Sequence, residues 1–170
     1  VATGTISSFD YPNWQLISTV TPTAGTALTN FTGLSGYNSY KIVLKQIGFS
    51  STCYGWIYFN DDQTQYNYNS FGTYYNQSGN ATQLFGGSND ANMRIFGPAG
   101  GNQFTGTIDI TNANQTIVPT EIKTNVSSAN YPSLLEGTWI KATPETISKI
   151  TIEWSANYNG NGSFKLYGLA

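Results

Sequence analysis

Histidine is absent from this 170-residue chain, and cysteine occurs once, as Cys53. The first absence removes the commonest general base and the commonest zinc ligand together. The second rules out an internal disulfide. With no imidazole or second thiol beside it, Cys53 supports neither a nucleophilic triad nor a thiolate metal site. Its expected role is that of a small, half-buried strand residue. Charge is equally scarce. Charged residues make up 9% of the chain and the net charge is -2, with an isoelectric point near 4.8, so there is no basic stripe to neutralise phosphates or anionic lipid. Neither nucleic acid nor a membrane surface is an expected partner. No apolar run reaches the roughly 18 residues of a membrane-spanning helix. The opening "VATGTISSFDYPNW" lacks the basic-then-apolar layout of a signal peptide.

What the chain does have is aromatic and small polar side chains. Aromatic residues are 15% of the total, a content that separates it from disordered chains of similar polarity. Segments 14–20 (WQLISTV), 40–47 (YKIVLKQI), 54–59 (YGWIYF), 104–110 (FTGTIDI), 120–126 (TEIKTNV), 147–154 (ISKITIEW) and 163–169 (SFKLYGL) alternate or run apolar with β-branched and aromatic residues, and read as strands. Links such as TPTAG, GLSGYN, GGSND, GPAGG and NYNGNG carry the residues that preset a turn or accept positive φ. Helical periodicity is lacking, with one helical turn expected near YPSLLEG (131–137). The expected fold is all-β, an antiparallel β-sandwich of about eight to ten strands, jelly-roll-like, with a closed barrel as the alternative. Residues 14–170 are expected to form one domain, preceded by an arm or edge strand over 1–13.

Catalysis is left to nine carboxylates. A glycosidase needs two of them facing one cleft. Asp109 in TIDI and Glu153 in TIEW sit among apolar strand neighbours, where burial raises a carboxyl pKa. An alternating strand nonetheless sends such residues to its solvent face. The expectation is a protein that is not an enzyme and uses no cofactor.

One stretch, FNDDQTQYNYNSFGTYYN (59–76), is the richest in chemistry. Asn60, Asp61 and Asp62 suit a turn that bonds its own backbone, and the following YNYN alternates with period 2, so the stretch reads as an exposed hairpin. Tyr66, Tyr68, Tyr74 and Tyr75, interleaved with Asn67 and Asn69, combine flat apolar faces with amide donors and acceptors, which suits recognition of a glycan or a protein neighbour. Asp61 and Asp62 are the only candidate metal ligands, for Ca²⁺, but their spacing departs from a D-x-D-x-D-G loop and adjacent carboxylates on an extended chain diverge. The surface is therefore expected to be independent of metal.

Both ends of the chain carry a resemblance. Residues 14–47, WQLISTVTPTAGTALTNFTGLSGYNSYKIVLKQI, resemble the opening of a β-domain found in structural proteins of tailed bacteriophages, with Trp-x-Leu-Ile, a Phe-Thr-Gly step and Tyr-x-x-Tyr-x-Ile leading a strand. Residues 147–170, ISKITIEWSANYNGNGSFKLYGLA, resemble its close, an alternating strand, an Asn/Gly turn and a last strand through Leu-Tyr-Gly. The middle of the chain has no such likeness, and strand patterns carry over no site residues. The resemblance implies a virion protein at the particle surface, most directly a capsid decoration (cement) protein. A receptor-binding tail-fibre or tail-tip domain that recognises host surface glycans is the alternative. Expected partners are other virion proteins, the major capsid protein first, and further copies of the chain itself, with a trimer as the expected number. The chain contains no trimerising shaft, and Val1 is compatible with removal of an initiator Met; both favour the decoration expectation.

Overall fold

The computed structural model describes residues 13–64, 67–76, 81–99, 103–128, 131–140 and 145–170, with backbone pairing alone for 74–76, 81–89, 97–99 and 131. Twelve strands occur among them: β1 (Gln15–Val20), β2 (Leu28–Thr32), β3 (Ser39–Ile47), β4 (Cys53–Phe59), β5 (Tyr68–Asn76), β6 (Ala81–Asp90), β7 (Met93–Ala99), β8 (Phe104–Thr111), β9 (Thr120–Ser128), β10 (Tyr131–Trp139), β11 (Lys149–Trp154) and β12 (Ser163–Leu169). They form an eight-stranded sheet in the order β1-β12-β3-β8-β9-β10-β5-β6 and a four-stranded sheet in the order β2-β11-β4-β7. Every pairing is antiparallel.

The topology is that of a jelly roll with two additions. Setting aside the hairpins β5–β6 and β9–β10 leaves eight strands, and in chain order these read first-eighth-third-sixth in one sheet and second-seventh-fourth-fifth in the other. That interleaving is the double Greek key of a jelly roll. The two hairpins then lie side by side and widen the first sheet from four strands to eight.

Alternation decides which side chains meet between the sheets. In β9 the sequence TEIKTNVSS buries Thr120, Ile122, Thr124 and Val126 and exposes Glu121, Lys123 and Asn125. Aromatic rings fill the space at two places. Phe49, Phe96, Phe104, Trp154 and Tyr158 pack together, with Phe96 and Phe104 edge-on at 4.5 Å and Phe49 and Trp154 at 4.5 Å. Phe59 of β4, Tyr68 of β5 and Trp139 of β10 make a second cluster, with Phe59 and Trp139 at 5.2 Å. Such ring pairs contribute about 0.5–1.5 kcal/mol each beyond the area they bury.

Three expectations are corrected. Residues 131–137 form part of β10 instead of a helical turn, because β10 lies between β9 and β5 and its backbone is paired on both sides. Ser133, Leu135 and Gly137 point inward while Leu134 and Glu136 point out. Gly86, Gly87, Gly97 and Pro98, expected in turns, lie within β6 and β7. The described residues thus hold twelve strands where about eight to ten were expected. The stretch 59–76 is not a hairpin either: β4 belongs to the four-stranded sheet and β5 to the eight-stranded one, so the intervening residues carry the chain from one layer to the other.

Two glycines give this packing a direct test. Gly106 in β8 has a φ of 157°, and a Cβ there would lie 2.1 Å from the Asn125 carbonyl oxygen and 2.6 Å from Val126 Cα. Gly25 has a φ of 83° and open space around it. Chemical denaturation should show Gly106→Ala costing about 3 kcal/mol or more, since backbone must move, and Gly25→Ala about 1 kcal/mol, from φ alone. Equal costs would mean that β8 and β9 do not approach as described.

Candidate functional site

The crossover from β4 to β5 is held by a dense set of hydrogen bonds. Asn60 and Asp61 adopt left-handed backbone conformations, with φ of 51° and 59°, which these side chains tolerate better than most. Asn60 Oδ1 accepts from the Ser148 and Lys149 backbone N–H groups at 2.8 and 3.0 Å, and its Nδ2 donates to Glu145 Oε1 at 2.8 Å and the Thr146 carbonyl at 2.9 Å. Asp62 is buried. Its Oδ2 accepts from Trp139 Nε1 at 2.9 Å and Asn67 Nδ2 at 2.8 Å, and its Oδ1 accepts from the Thr64 N–H at 3.1 Å. The Tyr68 hydroxyl donates to the Asp62 carbonyl and accepts from the Phe59 N–H, both at 3.0 Å. Burial by itself would raise the Asp62 pKa, but the donors from Trp139, Asn67 and Thr64 outweigh it and hold the carboxyl below its ordinary value.

This geometry redistributes the expected recognition residues. Tyr68 is 1% exposed and belongs to the core, stacked on Trp139 at 6.3 Å, and burial drives its phenol pKa upward. Asn67 is half-buried and committed to Asp62; Asn69 is half-buried, and its Oδ1 accepts from the Thr138 N–H and hydroxyl. Tyr68, Asn67 and Asn69 are thus structural, because a chain crossing between layers turns its polar atoms inward to satisfy its own backbone. Tyr66 and the side chains of Tyr74 and Tyr75 lie outside the described residues; the backbones of Tyr74 and Tyr75 pair with β10 and β6. Asp61 and Asp62 do not converge. Asp61 pairs with Lys149 Nζ at 2.6 Å while Asp62 faces Trp139, and no cluster of three ligand-type side chains occurs among the described residues.

The two suspected carboxylates are far apart in the topology. Asp109 projects from the outer face of the eight-stranded sheet and pairs with Lys41 at 3.1 Å; Glu153 projects from the outer face of the four-stranded sheet, where Gln63 Nε2 donates to it at 3.4 Å. They share no cleft. Cys53, expected to be half-buried, is fully buried, and desolvation pushes its thiol up to about 12.

Among the described residues, a second set of side chains suited to recognition stands on the outer face of the four-stranded sheet. Along β4, Cys53, Gly55, Ile57 and Phe59 point inward, so Tyr54 and Trp56 stand on the outer face of the four-stranded sheet. Their rings lie 6.1 Å apart and 23° from parallel. Register places Leu28, Glu153, Trp56 and Arg94 in one row across all four strands. The Arg94 guanidinium carbon is 5.0 Å from the Tyr54 ring centre. An open groove of about 600 Å³, lined by Pro22, Leu28, Asn30 and Glu153, adjoins that row. An aromatic ring beside a carboxylate can stack on an apolar ligand face while the carboxylate accepts hydrogen bonds from its rim. The pattern was legible as aromatic residues two apart on one strand.

No protein family and no curated protein matches the sequence. Among solved structures, a crystal structure of a functionally unknown protein from Saccharomyces cerevisiae is similar at 12% identity, covering 81% of this chain and 69% of that one with a TM-score of 0.33. A likeness of that size carries no inference about function.

The Asp62 network has a pH signature. All three partners are donors, so Asp62→Asn keeps an acceptor on one side and sets an N–H against a donor on the other, and should cost about 2–3 kcal/mol at neutral pH. Because the folded pKa is depressed, the stabilisation is complete above the unfolded value of about 4 and is lost as pH falls through the folded value. Denaturant titrations from pH 7 to pH 2 should therefore show the gap between wild type and Asp62→Asn closing below about pH 4. A gap independent of pH would mean that the carboxylate charge is not what the site uses.

Proposed function

We propose that this is a non-enzymatic protein of the virion surface, a capsid decoration protein that attaches to the major capsid protein and presents β-sheet faces outward. The observation that supports this reading most is spatial. The two segments that resemble the phage β-domain, 14–47 and 147–170, contain β1, β2, β3, β11 and β12. These strands are neighbours, β1-β12-β3 in one sheet and β2-β11 in the other. Segments separated by about a hundred residues of unmatched chain thus build one contiguous half of the sandwich, as a shared module would. The unmatched middle supplies the widening hairpins and the rest of the jelly roll. Asp109 and Glu153, the two carboxylates set among apolar strand neighbours, lie on opposite outer faces, which supports the non-enzymatic reading. Of the arm or edge strand expected over 1–13, residues 1–12 lie outside the described residues.

A second reading has its own support. The row Leu28, Glu153, Trp56 and Arg94, with Tyr54 beside it, fits a host surface glycan, as a receptor-binding tail-fibre or tail-tip domain would require. One experiment separates the two. Purified protein mixed with undecorated capsids should co-sediment with them, and Tyr54→Ala with Trp56→Ala should leave that binding intact. Binding to host cells but not capsids, abolished by the same pair of substitutions, would replace the decoration reading with the receptor one. Polysaccharide incubations should release no reducing ends above a heat-killed control; release abolished by Asp109→Asn or Glu153→Gln would overturn the non-enzymatic reading.

A further inference from the structure

The outer face of the eight-stranded sheet carries a row of side chains that runs across the strands. Register places Tyr167 of β12 beside Lys41 of β3, Lys41 beside Asp109 of β8, Asp109 beside Lys123 of β9, Lys123 beside Glu136 of β10, and Glu136 beside Phe71 of β5. All six point away from the core. The row reads aromatic, positive, negative, positive, negative, aromatic, and its midpoint falls between β8 and β9, the middle of the eight strands. Reversed end to end, such a row meets itself with every charge opposed. A two-fold axis along the strands at that midpoint sets Tyr167 against Phe71 of a second copy, Lys41 against Glu136, and Asp109 against Lys123.

We propose that this face binds a second copy of the chain through that two-fold axis. The inference is independent of the capsid reading. Self-complementarity is the property that a two-fold, isologous interface requires of a surface. Two sheets related in this way keep their strands aligned, the arrangement that face-to-face sheets adopt at about 10 Å. Size is adequate: seven spacings of about 4.8 Å and strands of about six residues give roughly 34 by 20 Å, about 700 Å² from each copy, in line with the roughly 800 Å² per partner of a standard interface. Apolar contact is available as well. Phe71 is 59% exposed and Leu134, beside it on β10, is 53% exposed, and together they border an open groove of about 440 Å³ that also takes in Asp109, Lys123 and Glu136. Within one copy Lys41 and Asp109 pair at 3.1 Å and Lys123 and Glu136 at 3.6 Å, with each side chain between 34% and 63% exposed. These ions thus reach the interface part-hydrated and with a partner, so little desolvation remains uncompensated.

A charge swap separates contacts between copies from pairing within one. Lys123→Glu alone brings like charges together both within the sheet and across the axis. Combining it with Asp109→Lys changes the row to positive, positive, negative, negative. That order spoils the alternation within one copy but keeps every facing pair opposed. Sedimentation velocity on the full chain should show a wild-type dimer that weakens with salt, a dissociation constant raised at least about tenfold in Lys123→Glu, and recovery to within about threefold of wild type in the swap. Phe71→Lys, at an exposed position that preserves the fold, should also weaken the dimer. Melting curves confirm folding of each variant. Wild type that stays monomeric at every concentration, association indifferent to Lys123→Glu and Phe71→Lys, or a folded swap that fails to re-associate would each overturn the proposal.

Discussion

A buried carboxylate holds the two layers of this sandwich in register. Asp62 sits where the chain leaves the four-stranded sheet, and its bond to Trp139 Nε1 reaches β10 of the other sheet. An unpaired anion at that depth would cost several kcal/mol, but three donors converge on it. The same turn places the Tyr68 hydroxyl between the Phe59 N–H and the Asp62 carbonyl, so the first residue of β5 is fixed by the last residue of β4. From that anchor β5 pairs with β10, and β6 with β5. The widened sheet, and with it the long outer face with its row of alternating charge, follows from where this crossover points.

The two faces of each strand divide the work. Inward positions hold the aromatic clusters and carry almost all of the apolar burial. Outward positions hold the Tyr54–Trp56 row on one sheet and the Tyr167-to-Phe71 row on the other. A chain with so little charge places four of its charged side chains in a single line, Lys41, Asp109, Lys123 and Glu136. The first row is the surface on which the receptor reading rests, and the second is the one proposed to meet another copy of the chain.

Much of the layering was legible from the sequence. Period-2 alternation in TEIKTNV and SFKLYGL reports a half-buried strand wherever that strand ends up, and the all-β antiparallel sandwich follows from enough such segments. Two of the strands that escaped, β6 and β10, have a local signal that conflicts with their position. The double leucine of YPSLLEG and the glycines of ATQLFGGSND weaken the alternation, and pairing makes strands of them, with β9 and β5 for β10 and with β5 for β6. Sheet membership was not legible at all. YNYN alternates identically whether it folds back on β4 or crosses to the other layer, and the difference is decided by Trp139, over sixty residues away. That is why a stretch rich in tyrosine and asparagine read as a recognition hairpin when Tyr68, Asn67 and Asn69 serve the fold. The Tyr54–Trp56 pair was visible as aromatics two apart but was masked by the apolar run around it.

The claim that one carboxylate joins the layers is tested most directly by a double-mutant cycle between Asp62 and Trp139. Asp62→Asn, Trp139→Phe and the double variant would each be unfolded in denaturant at neutral pH. The account predicts a coupling energy of at least about 1 kcal/mol, with the second substitution costing much less once the first is made. Additive costs, with coupling within about 0.3 kcal/mol of zero, would show that the two side chains are neighbours without being partners, and would contradict the account.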